Sequence, residues 1–214
     1  MFRILALCVL APLLLSGCAA LTALVDVSVP QDAYQVQASG DGPRAAGGPR
    51  ELQVIIEVPT ASAAIDTESI LVRPQPNQVQ YLGEARWIET APLMLQSALV
   101  DGLDRTGAYR FVGRRPLGGA GDFAVVINLA EFDAALIPES EGAEIRVRMS
   151  ARVVREDDLR VIATQSFARS VVVPDTETAS LINGFDIAAT GALDEVIVWV
   201  LGATGVRIAA SGDS

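Results

Sequence analysis

Four residues near the start of the chain, Leu15-Ser16-Gly17-Cys18, spell out a covalent chemistry. Arg3 is the single cation ahead of an uncharged apolar run from Ile4 to Leu15, and the small Ser16 and Gly17 let a peptidase hold extended backbone at a cleavage point. That order is the anatomy of a bacterial lipoprotein signal. The Cys18 thiol is then the atom that takes a diacylglyceryl group, and Cys18 becomes the first mature residue. The alternative is an uncleaved anchor helix, because Ile4 to Val25 carries no charge and is long enough to span a bilayer. Pro12 and Gly17 interrupt that run, a cysteine falls directly after Leu15-Ser16-Gly17, and both features fit signal anatomy better than a spanning helix. One acyl chain holds a protein only marginally, at about 0.8 kcal/mol per buried methylene, whereas two anchor it stably. The expectation is a soluble domain tied by Cys18 to a membrane surface outside the cytoplasm.

Two further constellations could carry recognition. Arg146, Arg148 and Arg152 alternate with Ile145, Val147, Met149, Ala151 and Val153, which puts the three guanidiniums on one face of a strand. They could meet an acidic partner or a lipid phosphate, or could form a solvated sheet face with cross-strand ion pairs. Arg86-Trp87 also has two readings. It is either a hot-spot pair facing a partner, or a tryptophan filling the core with its arginine satisfying a nearby carboxylate.

What is missing narrows the chemistry further. The chain has no histidine, and every one of its 16 cations is arginine. Of its two cysteines, Cys8 leaves with the leader and Cys18 is consumed by lipid. The usual general base, thiol nucleophile, Schiff-base amine and phosphate-loop lysine are therefore absent, and zinc loses both favoured ligand types. Carboxylate-only hydrolysis would need two acids converging in a cleft, and Asp157-Asp158 fall in a polar turn instead. Arg114 to Gly121 is glycine-rich but lacks a following Lys-Ser/Thr and a helix, so it reads as a connector. No catalysis, cofactor or metal is expected. The net charge of −10 also argues against nucleic acid, whose binding needs clustered cations, and against unaided attraction to anionic headgroups.

The elements that must position these residues follow from pattern. After the leader, residues 1–17, the stretch 18–49 is rich in Gly, Ala, Pro and Ser and reads as a flexible tether, with Asp32 to Val36 as one extended patch that could dock. A single domain, 50–205, follows, and 206–214 is a polar tail. Leu52 to Val58 reads as a buried strand, and Ser69 to Arg73 with Val79 to Leu82 as a hairpin about Pro74 to Asn77. Thr90 is set to cap a helix with Pro92 in its first turn. Leu95, Ala98, Leu99 and Leu103 lie on the inner side, Gln96, Asp101 and Asp104 on the outer side, and Gly107 at the stop. Strands are predicted at Tyr109 to Val112, Phe123 to Leu136, across the arginine stripe, and at Arg160 to Val173. A final helix from Thr178 to about Leu201 has its apolar face at Leu181, Phe185, Ala188, Ala192, Val196 and Val200, with Trp199 off centre.

Taken together, Ser69-Ile70-Leu71-Val72-Arg73, Val79-Gln80-Tyr81-Leu82, Arg86-Trp87-Ile88-Glu89 and Pro92-Leu93-Met94-Leu95 resemble one family. It is the auxiliary lipoprotein component of ABC-type transport systems, the PqiC/YmbA-like partner of MCE-type lipid transporters. Asp32 to Val36 and the lipobox match as well. The resemblance implies an α+β domain, an antiparallel sheet with two amphipathic helices packed on it. It also implies a place beside an MCE protein, a permease and an ATPase, with lipids or other apolar molecules as cargo and ATP handled by another subunit. Self-assembly would suit such a role. Alanine rather than aspartate at position 19 points to the outer membrane by analogy with lipoprotein sorting. The competing expectation is a free-standing lipid-binding carrier, which would need an apolar cavity between sheet and helices.

Overall fold

The structure is a computed structural model that describes residues 31–115 and 119–209. The leader and Cys18 lie outside the described residues. Nine strands and two helices follow one another: β1 (Asp32–Tyr34), β2 (Arg50–Ile56), β3 (Thr60–Ala61), β4 (Ser69–Arg73), β5 (Gln80–Trp87), α1 (Ala91–Arg105), β6 (Tyr109–Gly113), β7 (Phe123–Leu136), β8 (Ala143–Arg155), β9 (Arg160–Val173) and α2 (Thr178–Ala203).

β7 organises the sheet. Along one edge it pairs antiparallel with β8 for its whole length, and β8 pairs antiparallel with β9. Along the other edge β2, β3 and β4 take successive stretches, all parallel to it. β6 extends the sheet beyond β2, and the β4–β5 hairpin with β1 extends it beyond β4. The fold is α+β, as expected, but the sheet is mixed rather than antiparallel throughout. The long second-half strands are joined by tight turns and so run antiparallel. The short first-half strands reach β7 through longer connections, which permits parallel pairing.

Both helices pack on one face. Side chains from β7 and β8 meet them there, with Val125, Ile127, Leu129, Phe132, Ile145, Val147 and Met149 at most 3% exposed. α2 covers β8 and β9, touches β5, and packs against α1, while α1 sits over β2 and β6. The buried face of α2 is wider than the expected stripe, adding Ala189, Leu193, Ile197 and Leu201, because it meets both the sheet and α1. A Cβ at Gly102 would come within 2.5 Å of Ile197 Cδ1, so glycine sets how closely the helices approach. Pro92 does lie in the first turn of α1, although Thr90 caps without a side-chain bond. Gly107, at φ 65°, turns the chain out of the helix, and its N–H bonds to Asp104 O at 3.0 Å.

Three local expectations change. Gln96 is buried, not outward, and its Nε2 donates to Ile56 O at 2.7 Å, tying α1 to the end of β2. The return strand of the hairpin continues well past Leu82 to Trp87. The stretch read as tether runs along the domain from residue 31 onward. β1 pairs with β5, Val36 is 2% exposed, and Ala45 bridges to Ile208 in the stretch read as tail.

Candidate functional site

The arginine stripe lies on the sheet face opposite the helices, and a bulge in β7 decides what it meets. Before the bulge, Val125, Ile127 and Leu129 point inward; after it, Phe132 and Ala134 do. The register passes from Leu129↔Met149 directly to Glu131↔Arg148, which leaves Ala130 as the extra residue. Without that insertion Asp133 would share the parity of Leu129 and enter the helix-facing core. With it, Asp133 stands opposite Arg146 on the outer face, and Glu131 stands opposite Arg148.

Asp133 is nonetheless fully buried, because two guanidiniums close over it. Arg146 donates from Nε at 2.9 Å and Nη2 at 2.7 Å to Oδ1, and Arg73, at the end of β4, donates from Nε at 2.9 Å to Oδ2. A buried carboxylate without such partners would be severely destabilising. Partial burial works against the charge on Arg146. The Asp133 hydrogen bonds and the charges of Asp133, Glu131 and Glu144 outweigh it and hold the guanidinium's pKa above its ordinary value. Arg148 Nη2 pairs with Glu131 Oε1. Arg152 is exposed and has no acidic partner among the described residues. Two of the three stripe arginines thus spend charge on β7, while Arg152 keeps its own.

Beside this cluster lies a cleft of about 620 Å³, walled by the β4–β5 turn at Pro74, Gln75 and Pro76, by Leu136 at the end of β7 and by Pro138 just beyond it. Arg73, Arg146, Glu131, Ala135 and the bulge residue Ala130 also line it. The wall is therefore part apolar, with two guanidiniums and the Glu131 carboxylate as its charged groups.

Arg86 and Trp87, adjacent in β5, point to opposite faces. Arg86 Nη1 bonds Glu68 Oε2 at 2.8 Å and Trp87 O at 3.2 Å. Trp87 is 1% exposed and presents nothing to a partner. Its ring meets Phe185 edge-on at 5.2 Å and Phe132 at 5.5 Å, and those two rings lie 5.1 Å apart. The trio joins β5, β7 and α2 in the middle of the core. The pair is therefore split between a surface ion pair and a core anchor.

Asp133 and Arg73 were not singled out from the sequence. The signal for Asp133 was available: a carboxylate deep in the apolar run of 123–136 must find a cation or face solvent. Among the described residues there is no cluster of three or more metal-ligating side chains, and no helix is long and apolar enough to cross a membrane.

Residues 34–196, well over half of the chain, match the family of ABC-type transport auxiliary lipoprotein components. The chain belongs to that family. Its similarity to solved structures is one of fold. Protein XCC0632 from Xanthomonas campestris, assigned to the DUF330 family, is 24% identical with a TM-score of 0.68, covering 81% of this chain and 95% of that one. A second crystal structure, of an uncharacterized protein, is 10% identical with a TM-score of 0.58, covering 80% and 99%. No curated protein matches. As a member of this family, the chain is an envelope-associated lipoprotein that serves an ABC-type transporter.

Proposed function

We propose that this lipoprotein is an accessory subunit of an MCE-type ABC transport system that moves lipids or other apolar molecules across the bacterial envelope. It acts by tethering and docking, without chemistry of its own. The family match over residues 34–196 carries this reading. Diacylated Cys18 would hold the chain at the periplasmic face, with Ala19 directing it to the outer membrane. The domain would engage the MCE protein together with its permease and ATPase, in one or several copies. The absence of histidine, lysine and a mature free thiol agrees with a role in which ATP is handled elsewhere.

The packing favours docking over a free-standing carrier. The layer between sheet and helices, where a carrier would keep its apolar cargo, is filled by Trp87, Phe132, Phe185 and their neighbours. A docking surface has to come from exposed groups, and Arg148 and Arg152 of the stripe are exposed, with Arg86 and Arg146 partly so.

The test is to tag the C-terminus, extract membranes in mild detergent and identify co-purifying proteins by mass spectrometry. Recovery of an MCE protein with its permease and ATPase is expected. The triple variant Arg146→Glu, Arg148→Glu, Arg152→Glu should weaken that recovery, and Arg152→Glu alone should do so without lowering the melting temperature. Recovery of the lipoprotein alone with bound phospholipid would replace this reading with the carrier.

A further inference from the structure

The cleft beside Asp133 has the makings of a ligand site independent of docking. Arg73 and Arg146 share the buried carboxylate of Asp133, and Glu131, which also lines the cleft, has its carboxylate held by Arg148 from outside the lining. The bonds to Asp133 use Nε of Arg73 and Nε and Nη2 of Arg146. The two Nη groups of Arg73 and Nη1 of Arg146 have no protein acceptor among the described residues, although both side chains line the cleft. The buried carboxylate thus fixes two cations in place before any ligand arrives, and planar guanidinium forks suit carboxylate or phosphate oxygens. Pro74, Pro76, Leu136 and Pro138 supply apolar wall beside those donors. A volume of about 620 Å³ is of small-molecule size, and a few convergent polar groups in an apolar wall are what such sites require.

We infer that this cleft binds an anionic amphiphile, its phosphate head on Arg73 and Arg146 and the first methylenes of its chain along the proline and leucine wall. The cleft is too small to enclose a whole two-chain lipid, so the site reads a headgroup and does not carry cargo. Free phosphate offers the same anion without the chain, and the two are separable. The probe is hexyl phosphate, which is short enough to stay monomeric, titrated calorimetrically into the full-length protein in a neutral sugar-headed detergent. Inorganic phosphate and hexanol serve as comparisons.

Saturable binding of one hexyl phosphate per chain is expected, at least tenfold tighter than inorganic phosphate, with hexanol silent. Gln75→Glu adds a negative charge at the exposed turn without touching the Asp133 cluster, and should weaken binding at least tenfold at an unchanged melting temperature. No saturable heat, equal affinity for inorganic phosphate, or binding indifferent to Gln75→Glu would each overturn the inference.

Discussion

Trp87→Ala is the sharpest test of how the core is assembled. The indole is 1% exposed and in contact with Phe132 and Phe185 at ring separations of 5.5 and 5.2 Å. Truncating a buried tryptophan costs about 3–5 kcal/mol, less where neighbours can collapse into the space. Here they are poorly placed to do so, since Phe132 sits on the strand every sheet neighbour shares and Phe185 on a helix packed against β8 and β9. The two lost aromatic contacts are each worth about 0.5–1.5 kcal/mol within that total. We therefore expect about 4 kcal/mol. For a domain of this size each kcal/mol moves the melting temperature by about 2–4 °C, so a fall of about 8–16 °C should appear in thermal unfolding followed by circular dichroism. Trp87→Phe, which keeps a ring, should lose less than half as much. An unchanged melting temperature in Trp87→Ala, combined with loss of the co-purifying complex, would refute the core reading and make Trp87 a contact residue.

Gln96→Ala leaves the Ile56 carbonyl without its donor from α1, and should cost about 1–3 kcal/mol in denaturant unfolding with no change of slope. Asp194, on α2, has Oδ1 buried without a protein partner, and burial raises its pKa against the smaller opposing effect of Arg105. The native state therefore holds this proton more tightly than the unfolded chain does. Stability from that source is whole below the ordinary carboxylate value, near pH ~4, and is lost as pH rises through the folded value. Asp194→Asn should consequently melt higher than the parent at neutral pH and match it in acid, which a pair of melting curves at the two ends would check.

The elements that the sequence displays most clearly are those whose pattern is set by one face alone. β8 alternates without interruption, so its arginine stripe and inner face could be assigned from residue types. β7 could not be resolved in the same way. Its apolar run hides the extra residue at Ala130, and only pairing with β8 shows that parity changes there and turns Asp133 outward. Gln96 misleads for a related reason: helical periodicity sorts residues by polarity, whereas its burial is decided by a carbonyl forty residues earlier in the chain. Parallel pairing of β2, β3 and β4 leaves no local mark, because nothing in a short strand names its distant partner. The Arg86-Trp87 pair was legible as a feature but not in its division of labour, which follows from strand alternation once β5 is known to reach residue 87.

The branching of the sheet at β7 also bears on how the molecule opens. The β7–β8–β9 meander is joined by short turns and holds mostly near-neighbour contacts, so it can form early. Each first-half strand must close a long loop before it gains anything. The arm of β2 and β6 and the arm of β4, β5 and β1 are linked in the sheet only through β7. Either arm can therefore detach as a cooperative unit while the meander persists, and amide exchange should be slowest in β7 and β8 and faster, at separate rates, in the two arms.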